Sequence, residues 1–261
     1  LDPSDEAAEA VRRDLPPDLM AVSSVEPNVR AVSQLARLTG DALQEVGCGG
    51  GPVAVVLPDL AIRSFVFADG GKLGLAELAS RLAPRLSYPS SEAILDTWQA
   101  AADWVLAAAI RRVVLHQYEQ AVEAVGCYAA WVDGASLVRI PVWTAEAREK
   151  FSHDDSGGLN VHVQLYPGCY TLILFRRREL LDVRTRLRYP TDRLKVVEDL
   201  IRIPSLYEGG ECRRLTVRGE GAAALVDELE GTGLALERLE LGEEGEEAHL
   251  RGLVEILIRR I

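Results

Sequence analysis

The sequence predicts an α/β fold in two lobes, and three observations predict it. In the first half, apolar β-branched runs such as Pro52 to Leu57 alternate with stretches whose apolar residues recur at helical spacing. A turn-rich polar cluster, His153 to Gly158, interrupts this pattern. Beyond it, three successive strands lead into alternating helix and strand. The expected division is residues 1–140, carrying an inserted subdomain, and residues 159–261, ordered βββαβα.

Each element has a local cause. Asp5 to Arg13 supports a helical turn or two, and Pro16, Pro17 and Pro27 break regular structure, so residues 1–30 read as weakly ordered. Val32 to Val46 is predicted helical, with Val32, Leu35, Ala36, Leu38, Ala42, Leu43 and Val46 on one stripe and glycines from Gly47 as the stop. Pro52 to Leu57 and Ala61 to Ala68 are strands joined by a Pro58-Asp59 turn. A helix over Leu73 to Leu86 follows, then strands at Ile94 to Ala100 and Trp104 to Ile110. Arg111 to Val125 is an amphipathic helix closed by Gly126, Tyr128 to Val132 a strand, and Ala135 to Ile140 a short helix. Pro141 to Gly158 reads as a polar connector. Strands at Leu159 to Leu165, Tyr170 to Arg176 and Leu180 to Leu187 come next, then a helix from Arg193 to about Ile203, capped by Asp192 and ended by Pro204. Strand Arg214 to Arg218, helix Ala222 to Glu230, strand Leu234 to Leu239 and helix Glu246 to Ile261 complete the chain. The second half thus has a ribonuclease-H-like topology.

Composition narrows the function. Hydrophobic residues make up 48 % and charged residues 26 % of 261, as in a folded globular protein. The net charge of −11 argues against nucleic acid and against docking on an anionic membrane through the whole surface. Cys48, Cys127, Cys169 and Cys212 form no C-x-x-C pair, so they read as buried thiols in a reducing cytoplasm, without zinc. The longest apolar run, Val105 to Ile110, is far short of a membrane span.

Several segments, in order, resemble the PilM-like family of type IV pilus assembly proteins. They are VEPNVRAVSQLARLTGDALQEVG (Val25 to Gly47), VAVVLPDLAIRSFVF (Val53 to Phe67), YPSSEAILDTWQ (Tyr88 to Gln99) and VLAAAIRRVVLHQYEQAVEAVGCYAAWVDGASL (Val105 to Leu137). The resemblance covers roughly residues 20–240 and rests on shared order, not on one motif. It implies an actin-like, ribonuclease-H-like two-lobed fold with the first lobe incomplete, since the chain does not begin with Met and lacks the family's opening strand turn. It further implies a cytoplasmic scaffold, peripheral to the inner membrane, that binds the tail of a PilN-like bitopic partner and other pilus platform or motor proteins. The cytoplasmic domain of GspL in type II secretion is related.

The same resemblance raises ATP with Mg²⁺ as the cofactor to test. Actin-like ATPases hold nucleotide with two Gly-rich hairpins bearing acidic residues. No Gly-x-Asp-x-Gly segment stands before residue 50. At the second hairpin, VHVQLYPGCYTLILF (Val161 to Phe175), Gln164 and Tyr166 stand near the family's Asp-x-Gly, and only Gly168 and Thr171 fit. A neutral amide cannot replace a carboxylate toward Mg²⁺, and Tyr166-Pro167 crowds the turn. The adenosine loop corresponds to RGEGAA, with Gly219 and Gly221 ahead of a helix and Glu220 out of pattern. Gly168, Thr171, Gly219 and Gly221 are therefore a degenerate nucleotide site, with a plain hairpin and a plain strand–helix turn as the competing readings.

Other candidates are weaker. His116, His153, His162 and His249 show no metal-ligand spacing, and His162 is expected to be a packed or edge residue. His153-Asp154-Asp155 reads as turn chemistry. Ser136 lies outside any G-x-S-x-G elbow. Arg176 to Arg178 reads as a solvated hairpin tip and Glu237 to Glu247 as an acidic edge strand and loop. Three functions compete: a scaffold with a degenerate site, an active actin-like ATPase whose first phosphate hairpin is missing from this chain, and an unrelated α/β enzyme. The missing acids weigh against the active ATPase, and the absence of a nucleophile–base or metal motif weighs against the unrelated enzyme, which favours the pseudo-ATPase scaffold.

Overall fold

The computed structural model describes residues 11–100, 103–141, 143–144, 158–176, 179–187, 193–207, 211–232, 236 and 238–241. Helix α1, Val32–Glu45, buries Ala36, and the Gly47 N–H to Gln44 and Cys48 N–H to Leu43 bonds close its end. Strand β1, Gly51–Leu57, runs parallel to β5, Cys127–Gly134. Strand β2, Ile62–Phe67, and strands β3, Ala93–Gln99, and β4, Val105–Arg111, form an antiparallel sheet of order β2-β4-β3. Helix α2, Leu75–Leu82, sets Leu78 and Leu82 against Phe67, Val105 and Ala107. Helix α3, Arg112–Glu123, follows β4 directly and buries Val114, Leu115, Tyr118, Ala121 and Val122. Its short sequence repeat of apolar residues three and four apart makes that single face.

The second half is a five-stranded sheet of order β10-β9-β6-β7-β8. Strands β6, Leu159–Tyr166, β7, Cys169–Arg176, and β8, Glu179–Leu187, meander antiparallel. Strands β9, Cys212–Gly219, and β10, Arg238–Leu241, run parallel to β6. Helix α4, Arg193–Arg202, and helix α5, Ala222–Glu230, cover one face, where Val161, Val163, Leu172, Leu174, Leu215 and Val217 meet Val196, Val197, Leu200 and Leu225. The other face turns toward the first half. Ile173, Phe175, Leu180 and Val183 join Ile62, Leu106, Ile110 and Val114 in one buried cluster. Full burial of such side chains contributes about 1.5–3 kcal/mol each, so this shared cluster holds the two halves together.

Three expectations need amending. Residues 11–31 are irregular but packed: Leu19, Asn28 and Val29 are buried, and Met20 bridges Val29. Gln117 of α3 causes this, since its Oε1 accepts the Asn28 and Val29 N–H groups and its Nε2 donates to the Val29 carbonyl. Side-chain bonds thus replace the regular ladder that the prolines prevent. A 3-10 turn, Leu137–Arg139, runs on into helical residues 140, 141, 143 and 144, with Trp143 1 % exposed, so these residues are not polar connector. The last described strand is Arg238–Leu241, later than the expected Leu234 to Leu239. The Glu246 to Ile261 helix, His153, His249, Arg177, Arg178, Asp192, most of Asp5 to Arg13 and most of the connector lie outside the described residues.

Candidate functional site

Because β6 and β9 are parallel, their C-terminal ends lie together, and the β6–β7 turn lies at the same end. All four residues singled out in the sequence converge there. Gly168 occupies the exposed turn with φ +83° and open space around it. Gly221, at φ +79°, precedes α5 as its N-cap. Gly219 pairs with Leu165, and a Cβ there would lie 2.1 Å from the Leu165 carbonyl oxygen and 2.9 Å from Gln164 Nε2. Its lack of a side chain therefore serves the close approach of β9 to β6. Ligands in open α/β sheets sit beyond the carboxyl ends of parallel strands, so this is the chemically relevant end.

Thr171 is different. It is 1 % exposed and its hydroxyl donates to Asp59 Oδ2 at 2.6 Å. The Thr185 hydroxyl lies 3.0 Å from Thr171 Oγ1 and, with the Thr171 proton already committed, donates to it. Asp59 Oδ1 accepts the Ser136 N–H at 2.8 Å. Ser136 Oγ in turn lies 3.0 Å from the Tyr166 hydroxyl. Asp59 and Ser136 come from the turns after β1 and β5, whereas Tyr166, Thr171 and Thr185 come from β6, β7 and β8. A buried polar latch thus joins the halves beneath the glycine turns.

Burial raises the Asp59 pKa above the usual carboxylate range, and the bonds from Ser136 and Thr171 offset only part of that. Burial also pushes the Tyr166 phenol well up, with the Asp59 charge adding to it. Asp59 is 5 % exposed and its oxygens face donors of the chain, so it is a structural acceptor. Sequence reasoning missed it: Pro58-Asp59 read as a turn, and Tyr166 as a crowding residue. A polar residue directly after a buried apolar strand was the available signal.

On the same side of the sheet, Gln164 is 1 % exposed and its Oε1 has no hydrogen-bond partner among the described residues. Trp143 covers this region. Its ring stacks on His162 with centroids 5.4 Å apart, and the Arg218 guanidinium lies 6.0 Å from its centroid. His162 meets Phe175 edge-on at 5.5 Å, so it is packed as expected. No group of three or more His, Cys, Asp or Glu able to hold a metal occurs among the described residues. Gln164 is a neutral amide and brings no carboxylate charge to this end of the sheet.

A concavity of about 510 Å³ lies between β3 and α3 and is lined by Glu92, Ile94, Arg112, Val113, His116 and Glu119. Val113 is 40 % exposed there, and β3 is the end strand of its sheet among the described residues.

No family model and no curated protein matches the sequence. Solved structures do. A chain of a PilM-PilN type IV pilus biogenesis complex is 17 % identical, with 94 % of this chain and 85 % of that one covered at TM-score 0.66. A Bacteroides thetaiotaomicron protein with an actin-like ATPase fold and unknown function is 11 % identical over 87 % and 81 % of the two chains, at TM-score 0.56. The cytoplasmic domain of EpsL, an inner membrane component of the Vibrio cholerae type II secretion system, is 9 % identical over 89 % and 82 %, at TM-score 0.50. With a meandering five-stranded sheet, its covering helices and the matching order of the first half, this chain has the actin-like fold.

Proposed function

We propose that this chain is a PilM-like scaffold in the assembly platform of a type IV pilus or type II secretion-like system, and that it binds the cytoplasmic tail of a PilN-like membrane partner without splitting ATP. The observation that carries the reading is likeness across nearly the whole of both chains to one partner of a PilM-PilN complex. Likeness to the cytoplasmic domain of EpsL supports the same setting, on the cytoplasmic side of an inner membrane. In this reading residues 1–140 and 159–261 are the two lobes. Gly168, Thr171, Gly219 and Gly221 are a degenerate nucleotide site, because Thr171 is committed to Asp59 and Gln164 replaces an acid.

The concavity beside β3 is where an extended tail fits this reading best. An end strand offers backbone donors and acceptors for strand addition, while Ile94 and Val113 offer apolar anchors. The test is calorimetric. A synthetic N-terminal tail of a PilN-like single-span membrane protein from the same organism should bind, and Val113→Glu should weaken it at least tenfold. Mg·ATP at millimolar concentration should give no heat. A tail that binds the Val113→Glu chain equally well would move the docking site elsewhere, and stoichiometric ATP binding would overturn the degenerate site.

A further inference from the structure

The sheet β2-β4-β3 has two unlike sides. Ile62, Ile94, Leu106 and Ile110, at even positions, meet the cluster shared between the halves. Odd positions project from the opposite side, because side chains alternate along a strand. Toward one end of that side Phe65, Phe67, Val105 and Ala107 pack with α2. Toward the other end it carries Arg63 on β2 and Arg111 as the last residue of β4. Arg63 pairs with Ala109, so Arg63 and Arg111 are diagonal neighbours on one side, about 7 Å apart.

The segment that joins α2 to β3 crosses this side. At its start the Arg85 guanidinium lies 5.1 Å from the Phe67 ring centroid and 5.9 Å from that of Phe65. At its end Glu92 Oε2 accepts the Arg111 Nε–H at 2.7 Å. Tyr88 stands midway between these two anchors, so its buried ring lies against the stretch of sheet that holds Arg63. Tyr88 is 7 % exposed, and its hydroxyl is buried with no hydrogen-bond partner among the described residues. Burial raises the Tyr88 phenol above its ordinary pKa, and the Arg63 and Arg111 charges offset part of that, in keeping with this placement.

Charge is unbalanced here. The chain carries −11 overall, yet Arg63, Arg85 and Arg111 meet at this end of the sheet with one ion pair among them, that of Arg111 with Glu92. Arg85 is exposed and Arg63 half-buried, and neither has an ion pair among the described residues. Adjoining like charges and an unbonded buried hydroxyl both cost stability, and one carboxylate would relieve both.

We propose that Arg63, Arg85 and the Tyr88 hydroxyl form a docking site for the carboxylates of an acidic peptide segment in a partner protein. The planar guanidinium fork matches a carboxylate with two parallel N–H bonds. The Tyr88 O–H donates to the same group once the long, half-buried Arg63 side chain swings aside. A glutamate side chain reaches a recessed hydroxyl, whereas a flat lipid surface does not, and the negative chain is repelled by an anionic bilayer. The site lies on the opposite side of the sheet from Ile94 and the concavity beside α3, so it does not depend on the tail reading.

The test titrates the full chain into a dye-labelled hexaglutamate peptide and follows fluorescence anisotropy at low salt. The peptide should bind, and the double variant Arg63→Gln, Arg85→Gln should weaken it about tenfold or more. Tyr88→Phe keeps the buried ring and should weaken it severalfold. Arg37→Gln, an exposed change on α1, should leave binding unchanged. Absence of binding, or equal weakening by Arg37→Gln and the double variant, would overturn the site. Full binding by Tyr88→Phe would overturn the recessed pocket and leave a charged surface only. Capture by phosphatidylglycerol vesicles without binding of the peptide would overturn the choice of an acidic protein segment.

Discussion

The two faces of the five-stranded sheet obey different rules. Toward α4 and α5 the inward residues are mostly apolar, Leu159, Val161, Val163 and Leu165 on β6 and Leu172 and Leu174 on β7, with one buried bond from the Tyr170 hydroxyl to Asp199 at 2.7 Å. Toward the first half, β7 and β8 remain apolar through Ile173, Phe175, Leu180 and Val183. Near the β6–β9 side and the strand ends that face carries Gln164, His162, Arg218, Tyr166 and Thr171 instead. One face is stabilised chiefly by non-directional burial, with the Tyr170–Asp199 bond as its polar exception. The other spends part of its area on hydrogen bonds, each of modest net worth and expensive to leave unmade. The difference teaches that the polar end fixes how the halves dock through directional bonds, where the helix side relies mainly on buried area.

The comparison can be broken from the apolar side first. Leu172→Ala removes a side chain that is 1 % exposed and should cost about 2–5 kcal/mol in urea unfolding. Asp59→Ala should cost less, about 1–3 kcal/mol, because the Ser136 N–H and the Thr171 hydroxyl lose their acceptor. Tyr166→Phe removes the bond to Ser136 and should cost about 0.5–1.5 kcal/mol. Gln164→Met, similar in volume and free of the orphaned Oε1, should fall within about 1 kcal/mol of the parent on either side. If Gln164→Met destabilised as much as Leu172→Ala, the two faces would be alike after all.

Titration sharpens the contrast. The folded chain binds the Asp59 proton more tightly than the unfolded chain does. Its contribution is therefore most favourable below the ordinary Asp range, about pH 4, and is lost as pH rises through the raised folded value. Asp199 on the helix side works oppositely. Burial disfavours its charge, but bonds from Tyr170 and Arg202 with the nearby Arg186 charge hold its pKa below the ordinary value. Its contribution is present above the unfolded pKa and fades as pH falls through the folded one. Relative to the parent, Asp59→Asn should therefore gain stability as pH rises from 4 toward neutral. A difference between the two chains that stays flat across that range would remove Asp59 from the argument.

Much of this was legible in residue order. The meander Leu159–Tyr166, Cys169–Arg176 and Glu179–Leu187 matches the expected strands to within a few residues, and α3 lies inside the expected Arg111 to Val125. Alternation and helical spacing carry that information, because they record which side of an element meets the core. The packing of residues 11–31 was not legible, since it depends on Gln117, whose partners Asn28 and Val29 lie 89 and 88 residues away in sequence. Trp143 was hidden for a similar reason: a lone aromatic in a polar stretch has no period to reveal it.

The sequence by itself determined the α/β class, the order of elements and the glycine stops of α1 and α3. These are consequences of local propensity, periodicity and side-chain chemistry. Only the tertiary structure decided that Thr171 belongs to Asp59, 112 residues away. A periodic pattern says that a residue faces inward. It does not name what lies opposite, because that is set by how whole elements pack.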